Sequence, residues 1–64
     1  MTVDQVKELK IGERILTSNG ALWRVASMEK YCCHLTQLDF PYNQLHVDFF
    51  CLSAKDAEQM SRMN

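Results

Sequence analysis

The stretch YCCHLTQLDFPYNQLHVDFFCL, residues 31–52, holds both histidines, all three cysteines and every aromatic residue of the chain except Trp23. It reads either as a metal site or as two strands of a hydrophobic core, and that choice decides the fold. Alternation favours strands. Tyr31, Cys33 and Leu35 fall on one face of a first strand, and Leu45, Val47, Phe49 and Cys51 form an apolar set in a second. Between them, Asp39-Phe40-Pro41-Tyr42-Asn43-Gln44 has the proline and the flanking Asp and Asn of a loop. Pairing the two apolar faces sets Cys33 opposite Cys51 and Leu35 opposite Phe49, with the cysteines acting as small buried hydrophobes.

The other face then carries Cys32, His34, Thr36 and Leu38 from the first strand, and His46, Asp48, Phe50 and Leu52 from the second. In this register Thr36 faces Asp48, His34 faces Phe50 and His46 faces Leu38. Four metal-capable side chains, Cys32, His34, His46 and Asp48, share one side of the sheet. Zinc, however, is held by closely spaced Cys or His pairs, and here Cys32 and His46 lie several residues apart along the ladder. The expectation is a mixed polar face half covered by a helix, with no metal and no other cofactor. A nucleophilic site would need a base beside Cys32 or Cys33. Cys32 and His34 share a face but stand about 6–7 Å apart along a strand, and no oxyanion donor accompanies them. Asp48 beside Thr36 reads as a cross-strand polar pair. No catalytic residue is assigned, and the chain is read as a non-enzyme.

Upstream, ERILT, SNG and ALWRVASME form an earlier hairpin. Ser18-Asn19-Gly20 gives a three-residue loop with Gly20 left-handed, whereas Asn19-Gly20 alone gives a two-residue turn. The longer loop places Ile15 opposite Trp23 and Arg14 opposite Arg24; the shorter places Leu16 opposite Trp23. The longer is preferred, because Ile15, Trp23 and Val25 then share a face. Before this hairpin, Thr2 and Gln5 have capping-box spacing, and Val3, Val6 and Leu9 recur at helical spacing up to Gly12. A helix over about Val3–Leu9 is predicted, stable only if it docks on the sheet. After the second hairpin, Ser53 and Asp56 have capping spacing and Ala54, Ala57 and Met60 form an apolar stripe, predicting a terminal helix from Ala54 to about Arg62.

These elements describe one domain over residues 1–64: an α+β protein with a four-stranded antiparallel sheet, or a partly open small barrel, between short N- and C-terminal helices. A hydrophobic fraction of 47% with 23% charged residues fits a folded chain. A net charge of −1 from 7 basic and 8 acidic residues supplies no pull toward a polyanion. The opening MTVDQVKELK is charged where a signal peptide would be apolar, and the longest apolar run is Phe49 to Leu52. No membrane attachment, a cytoplasmic address and three reduced thiols are the expectation.

The segment LKIGERILTSNGALWRVASM, residues 9–28, resembles the opening of SH3-like small barrels, in which a turn glycine precedes a strand, a tight Gly turn and a second strand with an aromatic residue. The resemblance covers under a third of the chain. It implies a binding module for proteins, peptides or nucleic acids, and supplies no residue-specific site. In its small stand-alone size the chain also resembles proteins that bacteriophages and prophages encode, though no motif carries this likeness, which implies an adaptor or an inhibitor of a host factor. The functional expectation is therefore a protein-binding module. Phe40 and Tyr42 in the surface loop, and Phe50 with His34 on the second face, are its candidate contacts. The alternative is a nucleic-acid-binding barrel using Arg14, Arg24 and Trp23, although Trp23 reads first as core. A homodimer that buries the face bearing His34, His46 and Phe50 is the third reading.

Overall fold

The fold is given by a computed structural model, which describes residues 1–63. Helix α1, Val3–Lys7, starts with the capping box read from the sequence: the Thr2 hydroxyl accepts the Gln5 N–H, and the Gln5 side chain accepts the Thr2 N–H. It stops at Lys7, two residues short of the expected end, and Val6 and Leu9 are both buried against the sheet. Strands β1, Arg14–Thr17, and β2, Leu22–Met28, flank the three-residue loop, with Ile15 opposite Trp23 and Arg14 opposite Arg24. Gly20 takes φ +85°, and the Asn19 side chain accepts the Ala21 N–H, which fixes the turn.

Strands β3, Cys32–Gln37, and β4, Gln44–Asp48, form the second hairpin in a register that differs from the expectation. Cys33 faces Val47 in place of Cys51, Leu35 faces Leu45 in place of Phe49, and Thr36 faces Gln44 in place of Asp48. His34 faces His46, so neither the His34–Phe50 nor the His46–Leu38 pairing forms. Two polar side chains set this register. Buried Gln37 donates its side-chain amide to Asp39 and accepts the Asn43 N–H, while its backbone N–H goes to the Asn43 carbonyl, so the loop closes early. At the far end, Asp48 accepts the Phe50 N–H on its carboxylate and the Cys51 and Leu52 N–H groups on its carbonyl. Such a local side-chain bond offers the backbone a turn instead of a ladder. The strand ends at Asp48; Phe49 still folds inward, but Phe50 and Cys51 are left exposed. Tyr31 and Leu45, expected in the core, are also exposed.

The C-terminus is the other departure. Helix α2, Ala54–Glu58, has Ser53 as N-cap, as its spacing predicts, but ends at Glu58. The residues expected to extend it form a fifth strand, β5, Met60–Met63, antiparallel to β1. Ala57 and Met60 reach the core in this arrangement, while Ser61 to Met63 satisfy the otherwise open backbone of β1. The sheet order is β4-β3-β2-β1-β5, all antiparallel, curled into a half-barrel. An extra residue in β2, Ala26, lies between the pairs Val25–Leu35 and Ser27–His34. Such a bulge sharpens the local twist, and here it also decides that Ser27 rather than Ala26 opposes His34. The concave face packs Ile15, Trp23, Val25, Cys33, Leu35 and Val47 under the two helices. No helix among the described residues is long and apolar enough to cross a membrane.

Candidate functional site

Order along the sheet makes β4 an edge strand. Because the Gln37 N–H bonds the Asn43 carbonyl and the Phe49 N–H bonds the Tyr31 carbonyl, residues paired to β3 by hydrogen bonds fall on odd numbers of β4. The backbone groups of Gln44 and His46 therefore point away from β3, toward the open side of the sheet, while the outward carbonyl of Asp48 is taken by the Cys51 and Leu52 N–H groups. β4 spans roughly 17 Å at the usual rise per residue.

Each end of this edge carries a pair of exposed aromatic rings. Before β4, the tightened loop turns Phe40 and Tyr42 outward, 84% and 63% exposed, in edge-to-face contact at 6.2 Å between centroids. Tyr42 adopts φ +58°, a left-handed conformation uncommon for a residue other than glycine. After β4, Phe50, 79% exposed, stacks at a tilt on Tyr31 with centroids 5.2 Å apart, and the Lys30 ammonium lies 5.3 Å from the Tyr31 ring. Four of the six aromatic side chains are thus on the surface in two pairs. Phe40 and Tyr42 are exposed in the loop, whereas Phe50, expected on the second face of a longer strand, is exposed because β4 ends at Asp48. Tyr31 belongs to the core face by alternation but lies outside it; the signal against the core is its place at the strand's outer end, beside Lys30.

Between the pairs, on the outer face, the register assembles the polar cluster. His34 Nε2 and His46 Nδ1 face each other at 3.0 Å, with the rings edge-on. His34 Nδ1 lies 2.9 Å from the Ser27 hydroxyl and 3.7 Å from a Glu29 carboxylate oxygen. The Cys32 thiol donates to the same Glu29 oxygen at 3.1 Å. One donor atom from each of Cys32, His34 and His46 lies within 4.8 Å of the others. The expectation that Cys32 and His46 are too far apart along the ladder to converge is thus corrected, because the four-residue change of partner moves His46 beside His34. Ser27 and Glu29 join this cluster without any signal in the local sequence, since nothing there marks the bulge that brings Ser27 across from His34.

Two of the thiols, Cys32 and Cys33, are held toward their protonated form. The Cys32 thiol is pushed up from its ordinary value, first by its hydrogen bond to Glu29, then by desolvation and by the negative charges of Glu29 and Asp48. Burial pushes Cys33 up to about 11, with Cys32 adding to the effect. A thiol held in its protonated form is a poor attacking group at neutral pH.

Trp23 is 8% exposed and donates its indole N–H to the Thr17 hydroxyl at 3.1 Å. It belongs to the core, the first of its two sequence readings, and leaves little ring surface on which a base could stack. Arg14 and Arg24 do stand side by side on the outer face, both exposed. Arg24 borders an open groove of about 500 Å³ whose other walls include Ile11, Ala26, Thr36 and Leu38, an apolar lining with one cation rather than a basic track. No family model, curated protein or solved structure matches the chain. Its function has to be read from this geometry.

Proposed function

We propose that the chain is a non-enzymatic protein-binding module that takes an extended segment of a partner protein onto the open edge of β4. The observation that carries this reading is the edge strand itself, flanked by the Phe40–Tyr42 pair at one end and the Tyr31–Phe50 pair at the other. A strand added to such an edge gains backbone hydrogen bonds along its length, and side-chain contacts at its ends give selectivity. Aromatic anchors contribute most where rigid rings bury large area at small entropic cost. His34, beside the edge on the outer face, is a polar contact for the same partner. A net charge of −1 and a buried Trp23 weigh against nucleic acid as that partner. A binding module of this size suits a phage-type adaptor or inhibitor of a host protein, and the three free thiols suit a reducing cytoplasm.

The test is quantitative capture from lysate by the immobilised chain. Tyr42→Ala combined with Phe50→Ala reduces recovery of the specific partner more than about tenfold, since two interface anchors each contribute upward of about 1 kcal/mol. Arg14→Ala combined with Arg24→Ala leaves recovery unchanged. Circular dichroism confirms that both variants are folded, as expected for exposed positions. Undiminished capture by the aromatic variant, or loss confined to the arginine variant, overturns the reading.

A further inference from the structure

The cluster on the outer face of β3 and β4 has the composition and arrangement of a chelate. Its donors are one thiol and two imidazoles, borderline and soft ligands that select zinc-type transition ions over magnesium or calcium. They come from two neighbouring strands in a rigid pattern: Cys32 and His34 are two residues apart on β3, and His46 is the direct cross-strand partner of His34 on β4. Two histidine nitrogens on a tetrahedral zinc-type ion stand about 3.3 Å apart, and nitrogen and thiolate sulfur about 3.6 Å apart, from ordinary bond lengths. The facing nitrogens of His34 and His46 are at 3.0 Å, and the three donor atoms fall within 4.8 Å of one another, so small side-chain adjustments bring them onto one ion.

The second ring nitrogen of His34 is also provided for. A ligating imidazole usually gives its other N–H to a hydroxyl, carbonyl or carboxylate, which fixes ring orientation and tautomer. Here Ser27 Oγ lies 2.9 Å from His34 Nδ1 and Glu29 lies behind it at 3.7 Å, leaving Nε2 for the shared centre. Asp48, opposite Cys32, has one oxygen held by the Phe50 N–H and adds negative charge nearby. His46 is exposed, so the centre opens directly to solvent.

We propose that Cys32 Sγ, His34 Nε2 and His46 Nδ1 form a binding site for a divalent zinc-type transition ion, with the fourth tetrahedral position open to water or to a ligand from outside the chain. Binding exchanges the thiol proton for the ion: the S–H bond breaks, a sulfur–metal bond forms, and one proton is released to solvent for each ion bound. The site needs no partner protein, so its test is independent of the edge-strand reading.

Cobalt(II) is the probe, titrated without oxygen into the full chain in a non-chelating reductant. The expected result is the intense visible absorption of tetrahedral cobalt together with a thiolate-to-cobalt band in the near ultraviolet, saturating at one ion per chain, released by equimolar zinc and accompanied by one proton per ion. Cys32→Ser abolishes the thiolate band, and His46→Gln weakens binding at least about tenfold, as does Ser27→Ala through the orientation of His34. Cys51→Ser, at an exposed position outside the cluster, leaves the spectrum unchanged. His46→Gln at an exposed edge position keeps the test informative should Cys32→Ser fail to fold. Octahedral cobalt spectra only, a thiolate band that survives Cys32→Ser, or one that is lost with Cys51→Ser overturns the proposal.

Discussion

Leu35→Ala lowers the unfolding free energy by about 2–5 kcal/mol, the range for emptying a fully packed leucine site. Leu35 is 1% exposed at the middle of β3, between Val25 of β2 and Leu45 of β4, and the tightly packed strands around it cannot close the space it leaves. A chain of this size has roughly 3–10 kcal/mol of stability in total, so the variant sits near the folding midpoint or beyond it. Urea denaturation followed by fluorescence of buried Trp23 measures the change directly. Phe40→Ala, at a ring that is almost wholly exposed, should shift the same curve by no more than about 0.5 kcal/mol. A Leu35→Ala loss below about 1 kcal/mol would contradict the placement of the core.

Ending the chain at Gln59 has an effect of similar size through a different mechanism. It removes Met60, a buried side chain whose transfer from water contributes about 1.5–3 kcal/mol, and strips β5 from β1. The backbone groups of Arg14 to Thr17 that bonded β5 then turn to water, and the sheet edge moves from β5 to β1. The expected loss of about 3 kcal/mol corresponds to a melting temperature lower by roughly 12–24 °C for a domain this small. The Arg62–Glu13 ion pair, 3.1 Å between side chains and partly open to solvent, contributes little of this, as pairs near the surface do. An unchanged melting temperature would mean that residues 60–63 are not part of the folded sheet.

The parts of the fold that the sequence makes legible are those fixed by local chemistry. Thr2 and Gln5 cap a helix through bonds three residues apart. Gly20 and Asn19 set the first hairpin, because a left-handed glycine and an Asn side chain select the loop length and hence the register. The second hairpin is illegible for a matching reason. Its ends are decided by Gln37 and Asp48, whose side chains replace ladder bonds with turn bonds, and alternation of apolar residues continues through Phe49 and Cys51 as though the strand did too. Since a strand's side chains alternate with period two, the even shift of four preserves which residues share a face while changing every partner. That is why Cys32, His34, His46 and Asp48 are found on one side as expected, yet in contacts that the pattern alone puts out of reach. The helix-to-strand change at Met60 is likewise non-local: Ala57 and Met60 satisfy a helical stripe, but the unpaired edge of β1 decides the conformation of residues 60–63.

Whether a partner adds its strand to β4 is read most directly by amide hydrogen exchange of the purified complex against the free chain. The outward N–H groups of Gln44 and His46 should exchange freely in the chain alone and become protected in the complex, with the slowest exchange confined to the β4 edge. Protection centred on Arg14 and Arg24, with Gln44 and His46 exchanging as before, would contradict edge-strand binding and move the interface to the outer face over β1 and β2.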